Sequence, residues 1–314
     1  MSELTVTHRS AEPVESSVAP NVFGVDAAQG AASSSTPDGP RISVIVPTYN
    51  EAANLPHVFA LMPEVHEVIV VDGRSTDGTI ETAKALRPDV KIVLQNRRGK
   101  GNAMACGFAA ATGDILVMLD ADGSADPREI PRFVEALQAG AHFAKGTRFA
   151  LGGGSNDITA LRRAGNWALN TAANVLFGTR YTDLCYGYNA FWTHCLEFLE
   201  LDATDRGHSE RSWGDGFEIE TLINTRIAKA KLDIREVASF EFERIHGESN
   251  LNTFRDGFRV LTALVVERVR PAAAAVIAPV VPVAATTPAT TTEADVVIDL
   301  TALELRADAV RTAS

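Results

Sequence analysis

The stretch Asp114-Ile115-Leu116-Val117-Met118-Leu119-Asp120-Ala121-Asp122-Gly123-Ser124 decides how this chain is read. Five apolar residues run without interruption and end at two carboxylates spaced i and i+2, where Gly123 breaks the run. An apolar run of this length between polar brackets predicts a strand buried on both faces of an α/β sheet. Ligands of open α/β sheets bind beyond the carboxyl ends of such strands. Side chains two apart in an extended backbone point the same way, so Asp120 and Asp122 can share one hard cation. Two anions that close repel unless a cation lies between them. A metal at a strand end can in turn clamp a diphosphate, so the pattern predicts an enzyme.

Working outward, β-branched runs at Ile42–Val46, Val68–Val71 and Ile92–Leu94 precede the central one. Amphipathic stretches 51–61, 77–86, 100–111 and 128–138 separate and follow them, the signature of a mostly parallel sheet wound with helices. Past Gly140 the sequence predicts a strand near 142–146, a loop at Gly152-Gly153-Gly154 and a helix near 161–176. Irregular sequence then runs to Trp213, followed by helix 217–230, strand 234–241 and helix 251–268. The last helix sets Phe254, Phe258, Leu261 and Val265 on one face, which reads first as a core-facing stripe and second as a peripheral membrane anchor. No internal repeat is visible.

The 314 residues carry a formal charge of -11, but the ends hold more than half of it. Residues 1–40 contain five acids and one base, and residues 271–314 five acids and two bases. Both segments have the composition of flexible tails, leaving 41–270 as a single folded domain. That domain's mild negative charge is a poor match for a nucleic-acid binder. Cys106, Cys185 and Cys195 are too few and scattered for a disulfide framework, which points to a reducing cytoplasm. No stretch of eighteen uninterrupted apolar residues exists to span a bilayer.

Five motifs in order carry a resemblance: Val46-Pro47-Thr48-Tyr49-Asn50-Glu51, Val71-Asp72-Gly73-Arg74-Ser75-Thr76-Asp77-Gly78-Thr79, Asp120-Ala121-Asp122-Gly123-Ser124, Gly146-Thr147-Arg148, and Arg244-Ile245-His246-Gly247-Glu248-Ser249. Over residues 41–260 the chain resembles the family 2 glycosyltransferases of the GT-A type fold, closest to the dolichyl- and polyprenyl-phosphate mannosyl- or glucosyltransferases. The resemblance implies a nucleoside-diphosphate sugar donor, Mg²⁺ or Mn²⁺, and inversion at the anomeric carbon. Pro47, Tyr49, Glu51 and Asp72 inherit contacts to base and ribose, with Asp120 on the ribose or the ion. Asp122 inherits the principal metal ligand, and Ser124 a further polar metal contact. Arg244 and Ser249 inherit phosphate contacts, with Asn250 where that branch keeps a lysine. Many relatives carry a second acid where this chain has Gly73.

Three further candidates stand out. A guanidinium after a short strand suits a phosphate oxyanion, which nominates Arg148, with a surface ion pair as the alternative. Arg98-Gly99-Lys100-Gly101 opens a helix, and helix amides with a basic side chain make an anion site, which nominates Lys100. Asp215 precedes helix 217–230 where, by the resemblance, many inverting relatives keep an acidic base for a hydroxyl acceptor; read from the residues alone it is as readily an N-cap. Asn50 is expected to cap the first helix, with Glu51 just inside it. The acceptor is expected to be a polyprenyl phosphate, reached by peripheral contact at the inner face of a membrane, or a glycan or small-molecule hydroxyl. The rival readings are a haloacid-dehalogenase-like phosphatase with Asp120 as nucleophile, and a non-catalytic transferase-like scaffold. Against the phosphatase, three strand–helix units precede the aspartate pair, and residues 146–228 contain no lysine.

Overall fold

The computed structural model describes residues 39–208, 212–247 and 253–272. The predicted tails fall almost wholly outside these residues, as do Ser249, Asn250 and the side chain of Phe254. Nine strands are described: β1 Ile42–Thr48, β2 Glu67–Asp72, β3 Lys91–Leu94, β4 Ile115–Met118, β5 Phe143–Thr147, β6 Gly154–Ser155, β7 Asn189–Trp192, β8 Ile234–Ala238 and β9 Phe240–Glu241. The helices are α1 Leu55–Ala60, α2 Thr79–Leu86, α3 Lys100–Ala110, α4 Ile130–Gln138, α5 Ala160–Phe177, α6 Leu196–Leu199, α7 Ile219–Lys229 and α8 Thr253–Val269.

Seven strands form one sheet in the order β3-β2-β1-β4-β7-β5-β8, parallel except for β7, and β6 pairs with β9 beside it. The Val/Ile/Leu runs of β1, β2 and β4 are long enough to feed helices on both sheet faces, because alternate side chains leave in opposite directions. Val44, Val46, Val68, Val70, Ile115 and Val117 pack with Leu55 and Val58 of α1 and with Phe133 and Leu137 of α4. Ile45, Ile69, Val71, Leu116 and Met118 pack oppositely, with Met104 and Phe108 of α3 and Ile219 and Ile223 of α7. The register sets Thr48 beside Asp72 and Asp72 beside Leu94, so the carboxyl ends of three strands finish level. The first two motifs hang from that edge.

The first four predicted strands stand where the sequence put them. Strand β7 is the main addition: Asn189-Ala190-Phe191-Trp192 lies in the stretch read as irregular, and four residues are too few to show a period. It bridges β4 and β5 antiparallel and makes the sheet mixed. The predicted strand 234–241 divides at Ser239 into β8 and β9. Helix α1 begins at Leu55 rather than at 51, with Asn54 at its N-cap. Asn50 is no cap; it adopts φ +58° and ties two loops together. Its backbone N–H donates to Ser75 Oγ at 2.8 Å, and its Oδ1 accepts from the Thr76 N–H at 2.9 Å.

Helix α8 also corrects an expectation. Its core side is Val260, Ala263 and Leu264, of which Val260 and Leu264 pack with Tyr181, Leu184 and Ala173. Phe258, Leu261, Val265 and Val269 are exposed, Phe258 by 70%. Phe258, Leu261 and Val265 of the predicted stripe therefore face outward. Among the described residues no helix is long and apolar enough to cross a membrane.

Arg226 of α7 and Glu267 of α8 lock the helices together through a buried double hydrogen bond of 3.2 and 2.8 Å. Removing the cation leaves a wholly buried carboxylate unpaired, which costs about 3–5 kcal/mol. Arg226→Met is expected to lose that much in urea unfolding, and Arg226→Met with Glu267→Met to recover most of it. A stable single variant would mean the pair carries no weight.

Candidate active site

Beyond β4 the chain turns across the carboxyl edge of the sheet, with Gly123 at φ +78°, a conformation that only glycine adopts cheaply. A Cβ on Gly123 would stand 2.5 Å from the Ile245 side chain. The close approach lets the 242–245 segment run along the 122–124 turn. The Phe242 N–H donates to Ser124 O at 2.8 Å and the Ile245 N–H to Asp122 O at 3.2 Å. The third and fifth motifs thus build one wall. It faces α5 and the start of α8 across a cleft of about 540 Å³ that Asp120, Asp122 and Ser124 line.

Each charged wall is a cation held between two carboxylates. Arg244 reaches Asp122 Oδ2 at 2.8 Å and Glu51 Oε1 at 3.1 Å. The other oxygen of Asp122 accepts from the Ser124 N–H at 3.0 Å and from Ser124 Oγ at 2.7 Å. Ser124 therefore orients Asp122. Lys100 reaches Asp120 at 2.8 Å and Glu220 at 2.7 Å. Burial alone would lower the Lys100 pKa, but the Asp120 and Glu220 charges outweigh it and hold the ammonium charged. Glu51 is shifted upward, first by burial and further by the charge of Asp122, with Asn54 and Arg244 pulling against both.

Arg148 repeats the pattern. It grips Asp183 at 2.6 and 2.8 Å and Glu241 at 2.9 and 3.1 Å, over the ring of Tyr186. Every nitrogen of the guanidinium is already engaged, so it lines the cleft without a free edge for a phosphate. Its role is to hold the wall.

Three more expectations change for the same reason. Both oxygens of Asp215 accept from the Arg97 guanidinium, at 2.8 and 2.9 Å, with a further bond from the Ser212 N–H at 2.6 Å. Asp215 is buried, lies outside the cleft lining and is no N-cap, since that position is Glu218. The N-terminus of α3 is not an open anion site, because the Gly101 N–H donates to Asp215 O at 2.8 Å. Asp72 is wholly buried and accepts from Thr48 Oγ1, the Ser75 N–H and Ser75 Oγ at 3.2, 2.8 and 2.6 Å. It organises the loop on which base contacts would depend. Tyr49 is 53% exposed at the edge, and Pro47 is half-buried in β1.

Sequence reasoning missed Glu220, Asp183, Glu241 and Arg97, the counter-ions of the residues it chose. Only Glu220 left a trace, as an acid in the first turn of α7 two residues beyond Glu218.

The donor set suits a hard divalent ion completed by substrate. No cluster of three or more His, Cys, Asp or Glu side chains stands ready for a metal among the described residues. Asp120 and Asp122 nonetheless offer oxygen ligands at one cleft, the one-or-two-carboxylate arrangement Mg²⁺ adopts when phosphates supply the rest. Among the described lining residues seven carboxylates face four cations, an excess of negative charge that a divalent ion offsets.

Comparison with known proteins follows the same lines. A family model described as Glycosyl transferase family 2 matches residues 43–195. An undecaprenyl-phosphate mannosyltransferase of Micrococcus luteus is 32% identical over 222 residues, covering 68% of this chain and 88% of that protein. A polyprenol monophosphomannose synthase of Mycolicibacterium smegmatis is 37% identical over 177 residues, covering 52% and 66%. Among solved structures, glucosyl-3-phosphoglycerate synthase of Mycobacterium tuberculosis with Mn²⁺, UDP and glucosyl-3-phosphoglycerate shares the fold at a TM-score of 0.56. Its identity is 23%, over 74% of this chain and 81% of that one. The GT-A-like fold expected from the motifs is the one observed.

Arg148→Met is expected to leave Asp183 and Glu241 unpaired and to lower stability by about 3–5 kcal/mol in urea unfolding. Unchanged stability with a raised KM would return Arg148 to phosphate binding.

Proposed function

The chain belongs to glycosyl transferase family 2, and from that membership we propose that it moves a sugar from a nucleoside-diphosphate sugar to a polyprenyl phosphate at a membrane surface. One observation carries the reading: Asp122 and Arg244 stand 2.8 Å apart on the cleft wall, a carboxylate that could hold a metal beside a cation that could receive phosphate. A carboxylate and a guanidinium so placed suit a metal-bound diphosphate. The undecaprenyl-phosphate mannosyltransferase and the polyprenol monophosphomannose synthase are both named for polyprenyl carriers, which supports that acceptor.

Pro47, Tyr49 and Glu51 would bind the nucleoside, over the loop that Asp72 braces. Asp122, oriented by Ser124, would hold Mg²⁺ or Mn²⁺, with Asp120 beside it. A structural neighbour crystallised with Mn²⁺ and UDP supports that choice. The bound ion would neutralise charge growing on the leaving diphosphate. Lys100 would hold Asp120 in place, and Arg244, still 23% exposed between Glu51 and Asp122, would receive an incoming phosphate. Attack opposite the leaving group inverts the anomeric carbon, as in the family.

The acceptor class follows from the chemistry of attack. A hydroxyl needs a base as it attacks, whereas a phosphate is already an anion and needs none. Asp215, the nominated base, is tied to Arg97, which favours the phosphate. The outward stripe Phe258, Leu261, Val265 and Val269 on α8, with Arg268 beside it, suits the interfacial plane of a bilayer that carries a lipid acceptor.

UDP-, GDP- and dTDP-sugars offered with Mg²⁺ and a polyprenyl phosphate in vesicles should give labelled lipid, abolished by chelation. Asp122→Ala is expected to cut transfer on the order of a thousandfold, the scale of several kcal/mol of charge stabilisation. Full activity in that variant would remove the metal role. Transfer to hydroxyl acceptors alone would overturn the lipid acceptor.

A further inference from the structure

The carboxyl ends of β1, β2 and β3 finish level, and one side-chain oxygen there meets no donor among the described residues. Gln95 follows β3, and its backbone N–H donates to Asp72 O at 3.0 Å, which continues the ladder. Its side-chain Nε2 donates to the backbone carbonyl of Arg97 at 2.6 Å. That bond fixes which end of the amide is which, because a flipped amide would set one carbonyl oxygen against another. The Oε1 oxygen is therefore presented over Gly73.

Gly73 is what makes room for it. A Cβ there would lie 3.3 Å from Gln95 Oε1, 3.3 Å from Tyr49 Cδ2 and 3.2 Å from Thr48 O. The amide oxygen and the half-exposed ring thus flank the spot that a side chain at position 73 would fill. Gln95 is only 7% exposed, yet among the described residues no donor reaches Oε1. An open aromatic face beside an oriented acceptor, in the crevice at the strand ends, is what a nucleobase requires.

We infer that Gln95 is a specificity-determining residue for the donor base, accepting the ring N–H of an imide-type base at Oε1 beside Tyr49. Uracil and thymine carry that proton on N3 and guanine on N1. Cytosine N3 and adenine N1 are lone-pair acceptors, and each would meet another acceptor at Oε1. A site built to hydrogen-bond one partner discriminates strongly because the wrong partner leaves its buried polar group unpaired. The inference rests on the nucleotide-sugar reading above and adds the class of base.

Calorimetry on the full chain with Mn²⁺ and, in turn, UDP, GDP, CDP and ADP tests it. The wild type is expected to bind the better of UDP and GDP at least about tenfold tighter than CDP or ADP. Gln95→Leu should weaken that preferred nucleotide about tenfold and flatten the preference. The ratio of affinities within one variant is independent of how much of the sample is active. If Gln95→Leu gives no folded protein, Gly73→Ala is read in its place, since its Cβ would push into Oε1 and the Tyr49 ring. A variant that keeps the wild-type ratio overturns the role of Gln95 and leaves the donor reading standing, as does a wild type that prefers CDP or ADP. A wild type that binds no nucleotide overturns both.

Discussion

Carboxylates crowded at one edge of a sheet need counter-charge, and the rest of this structure depends on how it is supplied. Two unit charges 4 Å apart interact by about 4 kcal/mol at an effective dielectric of about 20. The same solution appears three times: Lys100 between Asp120 and Glu220, Arg244 between Asp122 and Glu51, and Arg148 between Asp183 and Glu241. Each unit ties distant parts of the chain and keeps one net negative charge. Lys100 joins α3 to the β4 turn and to α7, and Arg244 joins the final loop to the first and third motifs. The cleft is thereby cross-braced and acidic, which fits the proposed divalent ion and diphosphate.

The parts of the fold that follow from short-range pattern were legible in the sequence. Strands β1 to β4 announce themselves as apolar runs closed by polar residues, and α2 and α4 by an amphipathic period, whereas α3 is buried continuously over 101–108. Asp120 and Asp122 were legible as paired acids closing an apolar run, although the strand ends at Met118 and the turn at 121–123, rather than strand alternation, brings both to the cleft. β7 was not, because Asn189–Trp192 takes its conformation from the strands on either side of it. Helix α8 shows why a stripe alone is ambiguous. Val260, Ala263 and Leu264 form a second apolar stripe, and only the packing of α5 and α7 decides which of the two is buried.

Charged side chains were the least legible, for a related reason. A motif names a carboxylate or a guanidinium but not what neutralises it. Asp215 and Arg148 each look like chemistry in the sequence. In the fold, Arg97 claims both oxygens of the first, and Asp183 with Glu241 claim every nitrogen of the second. Asp72 similarly spends its carboxylate on Thr48 and Ser75. In the proposed reading, function at this edge falls to Asp120, Asp122 and Arg244, whose side chains stay 37%, 15% and 23% exposed at the cleft, and to Tyr49 and Gln95.

The central claim is that the aspartates at the end of β4 hold a divalent ion that the diphosphate completes. Electron paramagnetic resonance of free Mn²⁺ in solution tests it most directly. The account predicts little loss of the free-ion signal on adding the protein alone, and a large loss once UDP or GDP is added, beyond what nucleotide takes up by itself. An equal loss without nucleotide, or none with it, would contradict the account.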